Sequence, residues 1–98
     1  MKLGVLVSDF RNMDDILSRL KAEKLGVILV GNGVYHAAVK EGGKKSPVLE
    51  MSSHLYALSE DLQTRGLSGA GIDSRVKSVT YDDLVDVLFN EYEKIIWI

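Results

Sequence analysis

The sequence predicts an α/β fold, a three-layer α/β/α arrangement with a mostly parallel five-stranded sheet, and two observations carry that expectation. Five short apolar runs, Leu3–Val7, Leu25–Val30, Leu55–Leu58, Val76–Val79 and Ile95–Ile98, are bounded by turn signals, and most are rich in Val, Ile or Tyr. The first, second and last of them are nearly continuous in apolar character, the mark of strands covered on both faces. Stretches of helical periodicity separate the runs, so strand and helix alternate and helices are expected on both faces of the sheet.

Taken in order, the first run is followed by Met13, Ile16, Leu17 and Leu20 at i, i+3, i+4 and i+7, with Asp14, Asp15, Arg19 and Lys21 on the other side. This is an amphipathic helix with Asn12 as its cap, Asp15 at N3 and Gly26 shortly after its end. The second run gives way to Gly31-Asn32-Gly33, which opens a short helix from Val34 to about Lys40. The third leads into a short helix from Ser59 to about Arg65, with Ser59 as N-cap, Glu60 and Asp61 in its first turn and Gly66 at C′. After the fourth run, Thr80 precedes a helix whose apolar stripe is Tyr81, Leu84, Val85, Leu88 and Tyr92. The segments 41–50 and 67–74 read as loops. The last run carries the single Trp97 and is expected as an edge strand near a subunit contact, because an uncovered apolar edge invites pairing.

Ninety-eight residues, 46% apolar and 27% charged, describe one globular domain over 1–98. Twelve Lys plus Arg against fourteen Asp plus Glu leave a net charge of −2, so there is no global positive field to hold a phosphate backbone and no direct nucleic-acid binding is expected. The apolar run near the N-terminus is too short for a signal sequence, and no stretch is long enough to span a membrane; a cytoplasmic location is expected. Cysteine is absent from the sequence, which excludes disulfides, thiolate metal sites and a nucleophilic or persulfide-carrying thiol.

In open α/β sheets ligands sit outside the carboxyl ends of the strands, which directs attention to Ser8-Asp9, Gly31-Asn32-Gly33, Leu58-Ser59-Glu60 and Thr80-Tyr81. The backbone amides of Gly31, Asn32 and Gly33 could cradle an anion at a helix start. The third glycine of a dinucleotide fingerprint is replaced by His36, however, and no acidic residue closes the next strand. Gly43-Lys44-Lys45-Ser46 resembles the end of a phosphate loop, but Ala38 stands where its leading glycine belongs. His36 and His54 are the only imidazoles and have no ligand-like spacing, so neither a metal nor a cofactor is expected. Ser59 lacks the glycines of a nucleophile elbow, and Asp9, Asp82, Asp83 and Asp86 are unpaired carboxylates, so no catalytic residue is assigned.

Several segments, taken together, resemble the TusB/DsrH family of sulfur-relay proteins. These are Ile28-Leu29-Val30-Gly31-Asn32-Gly33-Val34-Tyr35, Leu55-Tyr56-Ala57-Leu58-Ser59-Glu60-Asp61-Leu62 with Arg65-Gly66-Leu67, Val79-Thr80-Tyr81-Asp82-Asp83-Leu84-Val85, and the closing Trp97. The resemblance implies the DsrEFH-like α/β fold and a heterohexamer of two copies each of this chain, a TusC/DsrF-like and a TusD/DsrE-like subunit. It further implies a role in persulfide transfer, towards 2-thiolation of the tRNA wobble uridine or in sulfur oxidation. The family's catalytic cysteine belongs to the TusD/DsrE-type subunit, about eight residues before an Arg-Gly pair; Leu58 holds that place here. Some family members also carry a cysteine on the first helix, and the stretch near Leu17 has none. The chain is therefore expected to be a non-catalytic subunit whose partner-facing surface includes Gly33, Val34, Tyr35, His36, Tyr56, Glu60, Asp61, Arg65 and Trp97, with a homodimer conceivable in isolation. The alternative is a stand-alone small-molecule or nucleotide-binding α/β domain anchored at Gly31–Gly33.

Overall fold

The computed structural model describes residues 2–8, 24–38, 47–50, 52–67 and 71–98. Five strands, β1 (Lys2–Val7), β2 (Lys24–Leu29), β3 (His54–Leu58), β4 (Val76–Val79) and β5 (Lys94–Trp97), form one sheet in the order β4-β3-β2-β1-β5. All four pairings are parallel. The chain steps outward from β1 to β4 and then returns past β1 to lay down β5, so the direction of winding reverses between β1 and β5. Among the described residues, two helices, α1 (Ser59–Thr64) and α2 (Tyr81–Glu91), and two 3₁₀ segments, Gly31–Ala37 and Pro47–Glu50, accompany the sheet. The helix expected around Met13 to Leu20, the carboxylate Asp9 and the Gly43–Ser46 loop lie outside the described residues.

The strand runs follow the sequence expectation closely, because their apolar residues have two faces to fill. Leu3, Val5 and Val7 of β1 join Val27, Leu29, Leu55 and Ala57 on one face, where Val34, Ala37, Val48, Leu49 and Leu62 pack onto them. Leu6, Ile28, Val30 and Val79 look the other way, onto Leu84 of α2. Burial at this scale is the main stabilising force, at roughly 1.5–3 kcal/mol for each large side chain taken out of water.

Three local expectations are corrected. The helix expected from Val34 to about Lys40 is a 3₁₀ segment starting at Gly31 and ending at Ala37; Ala38 is already extended and bridges antiparallel to Ile72. The expected loop 41–50 includes a 3₁₀ turn whose Val48 and Leu49 are core residues. Ser59 does not cap α1: the helix starts at Ser59 itself, Leu58 stands at the cap without a side-chain bond, and the Ser59 hydroxyl donates to Glu60 Oε1 at 2.8 Å. The other end of α1 ends as read. Gly66 adopts φ +69° and its N–H donates to Gln63 O (3.1 Å), while that of Leu67 donates to Leu62 O (2.8 Å), the pair of bonds that makes a Schellman ending.

Gly26 also has a different role from a helix end. Gly4 and Gly26 are direct partners in the β1–β2 register, and the ring of Tyr92, the residue that ends α2, lies over both. A Cβ on Gly26 would fall 1.9 Å from the Tyr92 hydroxyl, and one on Gly4 would fall 3.2 Å from Tyr92 Cγ. Two adjacent glycines thus form a notch that seats one aromatic ring on the sheet. Burial pushes the Tyr92 phenol above its ordinary pKa, with the nearby Tyr56 a lesser cause. Its hydroxyl reaches no hydrogen-bonding geometry among the described residues.

Candidate functional site

The carboxyl ends of β1, β2, β3 and β5 open onto a groove of about 360 Å³ beside the point where the winding reverses. Its apolar lining comes from Leu6, Val30, Leu58, Leu84, Val85 and Leu88, and Trp97 and Tyr81 stand at its sides. Trp97 is held in place although it is 68% exposed. Its indole N–H donates to Ser8 Oγ at 3.1 Å, and the Ser8 hydroxyl donates to the Ile98 carbonyl at 3.1 Å. The last strand is thereby tied to the end of the first.

At the head of the groove is the Gly31-Asn32-Gly33 turn. Gly31 has φ +53°, a left-handed conformation that favours glycine. Gly33 is required for a different reason: a Cβ there would meet the Val7 carbonyl oxygen at 1.9 Å. Two of the turn's three amides are already used within the chain. The Gly31 N–H donates to Asp61 Oδ2 at 2.7 Å, and that of Gly33 donates to Val30 O at 2.8 Å. Asn32 Oδ1 accepts from Arg65 Nε (3.2 Å) and Nη2 (3.1 Å), and Arg65 Nη1 lies 3.6 Å from Asp61 Oδ1. The Asp61 carboxylate therefore takes the Gly31 amide that an anion at the turn expected from Gly31, Asn32 and Gly33 would use.

The neighbouring Glu60 extends the same network to α2. Its Oε2 accepts the Tyr81 N–H at 3.0 Å, and with the Ser59 hydroxyl as second donor this holds the Glu60 carboxyl below its ordinary pKa. Thr80 Oγ1 accepts from the Asp83 N–H at 3.3 Å, as its place before the helix suggested. Glu60 and Thr80 together satisfy two of the free amides at the start of α2.

The residues expected on a partner surface separate into three groups. Glu60, Asp61 and Arg65 come together at the head of the groove, and Trp97 stands at its side. Tyr35 is half-buried on the 3₁₀ segment, and Tyr56 is half-buried within β3 near Tyr92. Gly33, Val34 and His36 are buried in the chain, His36 to 3% exposure. Tyr81, read as part of the apolar stripe of α2, is 62% exposed, and Phe89, absent from that stripe, is 83% exposed. The signal for both was their spacing: Tyr81, Val85 and Phe89 lie at i, i+4 and i+8 on one flank of α2. Among the described residues no three His, Cys, Asp or Glu side chains cluster as a metal site, and no helix is long and apolar enough to cross a membrane.

Comparison with known proteins gives three likenesses. The family described as DsrH like protein matches residues 7–94. Protein TusB of Photorhabdus laumondii subsp. laumondii is 25% identical over 83 residues, which cover 85% of this chain and 85% of that protein. The crystal structure of the ychN protein from E. coli superposes with a TM-score of 0.64 at 14% identity over the whole of both chains, a likeness of fold.

Proposed function

The chain belongs to the DsrH like family, and from that premise we propose that it is a non-catalytic subunit of a cytoplasmic sulfur-relay complex. In this reading it assembles with TusC/DsrF-like and TusD/DsrE-like subunits into a heterohexamer that passes persulfide sulfur, towards wobble-uridine 2-thiolation of tRNA or in sulfur oxidation. The observation that carries the non-catalytic role is the absence of cysteine from the sequence. Sulfur relay proceeds by attack of a thiolate on a bound persulfide, and no other side chain can hold sulfur at that oxidation level and release it. The chain therefore acts by binding and positioning the subunits that carry the thiol.

The competing reading, a nucleotide-binding domain, requires free amides at Gly31–Gly33, and Asp61 and Val30 already accept those of Gly31 and Gly33. A phosphate there would also face the Asp61 carboxylate at close range.

The test is co-expression of the chain with the TusC-like and TusD-like subunits of its source genome, followed by native mass measurement and a transfer assay with ³⁵S-labelled persulfide donor. A complex containing all three chains, with label on the TusD-like subunit and none on this chain, is expected. Failure of the chain to join either subunit would overturn the proposal.

A further inference from the structure

The two edges of the sheet are built differently. The outer edge of β4 carries Lys77 and Ser78 as exposed residues, the polar and cationic side chains that keep an edge from pairing. The outer edge of β5 has no such protection on one of its faces. Ile95 and Trp97 project on the same side of the sheet as α2, since they pair in register with Gly4 and Leu6 of β1, and they are 39% and 68% exposed. Tyr81 and Val85 of α2 line the groove with Trp97. Glu91 pairs with Lys24 of β2, and Phe89, about 160° around the helix from Glu91 at about 100° per residue, lies on the flank away from β2, towards β1 and β5. Tyr81, Phe89, Ile95 and Trp97, all the exposed large apolar side chains among the described residues, thus belong to one patch running from α2 to the β5 edge. Large apolar residues scattered singly need no explanation, but their concentration on one edge marks an interaction surface.

The border of the patch tells what it meets. The next ridge of α2 carries Asp82 and Asp86, both exposed, beside the patch, and Lys94 alternates onto the opposite face of β5. If two copies paired their β5 edges about a two-fold axis, acidic ridge would meet acidic ridge, a like-charge juxtaposition that disfavours self-association. We propose that the β5–α2 patch is the docking surface for a sister subunit of the complex that offers an apolar strand edge or helix ridge bordered by Lys or Arg. This inference rests on the reading of the chain as a complex subunit and adds to it the surface and the character of the partner.

The experiment uses the co-expressed assembly. Phe89→Asp places a charge in the patch on a side chain that is 83% exposed and has little folding role, and Trp97→Gln replaces the indole with a neutral polar side chain; Lys77→Glu on the opposite edge is the control. Far-UV circular dichroism and a urea midpoint on each isolated variant establish that it folds, and Trp97→Gln carries the test if Phe89→Asp does not. Loss of co-purifying sister subunit by tenfold or more in the patch variants, with Lys77→Glu unchanged, is the expected result. Capture of sister subunits equal to that of the unaltered chain by folded patch variants would overturn the surface while leaving the complex intact. A dimer of the isolated chain that Phe89→Asp converts to monomer would overturn the choice of partner. If the unaltered chain captures no sister subunit, the subunit reading and this surface fall together.

Discussion

Gly4, Gly26 and Tyr92 show how much a single position can carry in a small sheet. Most glycines in strands weaken them, because the backbone loses freedom without a side chain to pack. Here the missing side chains create the space for an aromatic ring, and the ring supplies the packing. Gly26→Ala should destabilise the chain by about 3 kcal/mol, near the upper end of what overpacking a core costs, because a methyl group 1.9 Å from the Tyr92 hydroxyl cannot be accommodated without moving the ring. Tyr92→Phe, by contrast, should change stability by less than about 1 kcal/mol, since its hydroxyl is buried without a hydrogen bond among the described residues. Urea unfolding of Gly26→Ala, Tyr92→Ala and the double variant closes a thermodynamic cycle. A coupling of about 1–2 kcal/mol is expected, as the alanine methyl fits once the ring is gone. Strict additivity would show that the ring and the glycine do not compete for the same space.

Between elements, α1 and α2 are joined by Glu60, which sits in the first turn of α1 and accepts the first amide of α2. Its carboxyl titrates below its ordinary value of 4.5 in the folded chain because the Tyr81 N–H and the Ser59 hydroxyl favour the ionised form. The bond therefore contributes stability above pH 4.5, and that contribution is lost as pH falls through the lower folded value. Glu60→Gln should remove this acid-side loss. The difference in urea midpoint between the unaltered chain and the variant should shrink as pH is lowered from neutral to the acid side of 4.5, and a pH-independent difference would refute the assignment. The strands, α2 and its Thr80 cap were legible in the sequence because apolar runs and capping residues are local signals. The Glu60 bridge and the Asp61 carboxylate at Gly31 were not, because each joins segments 21 to 30 residues apart and depends on the sheet order. The Gly31–Gly33 turn was recognisable as a turn, but the anion it binds is a side chain of the same protein. The 3₁₀ segment Gly31–Ala37 was read as a helix for a related reason: Gly33 must press against the Val7 carbonyl, which fixes a tighter path than periodicity reveals.

Over the whole molecule, the sheet has one protected edge and one unprotected one, and the single tryptophan lies on the unprotected one. The sequence pointed to this edge through the apolar run that carries Trp97, whereas the exposure of Tyr81 was not legible because an apolar helical stripe is ordinarily read as buried, and Phe89 lies outside that stripe. Having one tryptophan makes the edge directly observable. In the isolated chain Trp97 is 68% exposed, so acrylamide should quench its fluorescence efficiently. On binding a tryptophan-free variant of the sister subunit that covers β5, quenching should fall several-fold and the emission should shift to shorter wavelength, because the indole loses water on the face now covered. Association should also slow as salt is raised, since the acidic ridge of Asp82 and Asp86 steers a basic border and that attraction is screened over about 10 Å at 0.1 M ionic strength. Unchanged quenching in a complex of verified composition would mean that the partner sits elsewhere, and an association rate indifferent to salt would remove the charge border as the basis for choosing a sister subunit over a second copy of this chain.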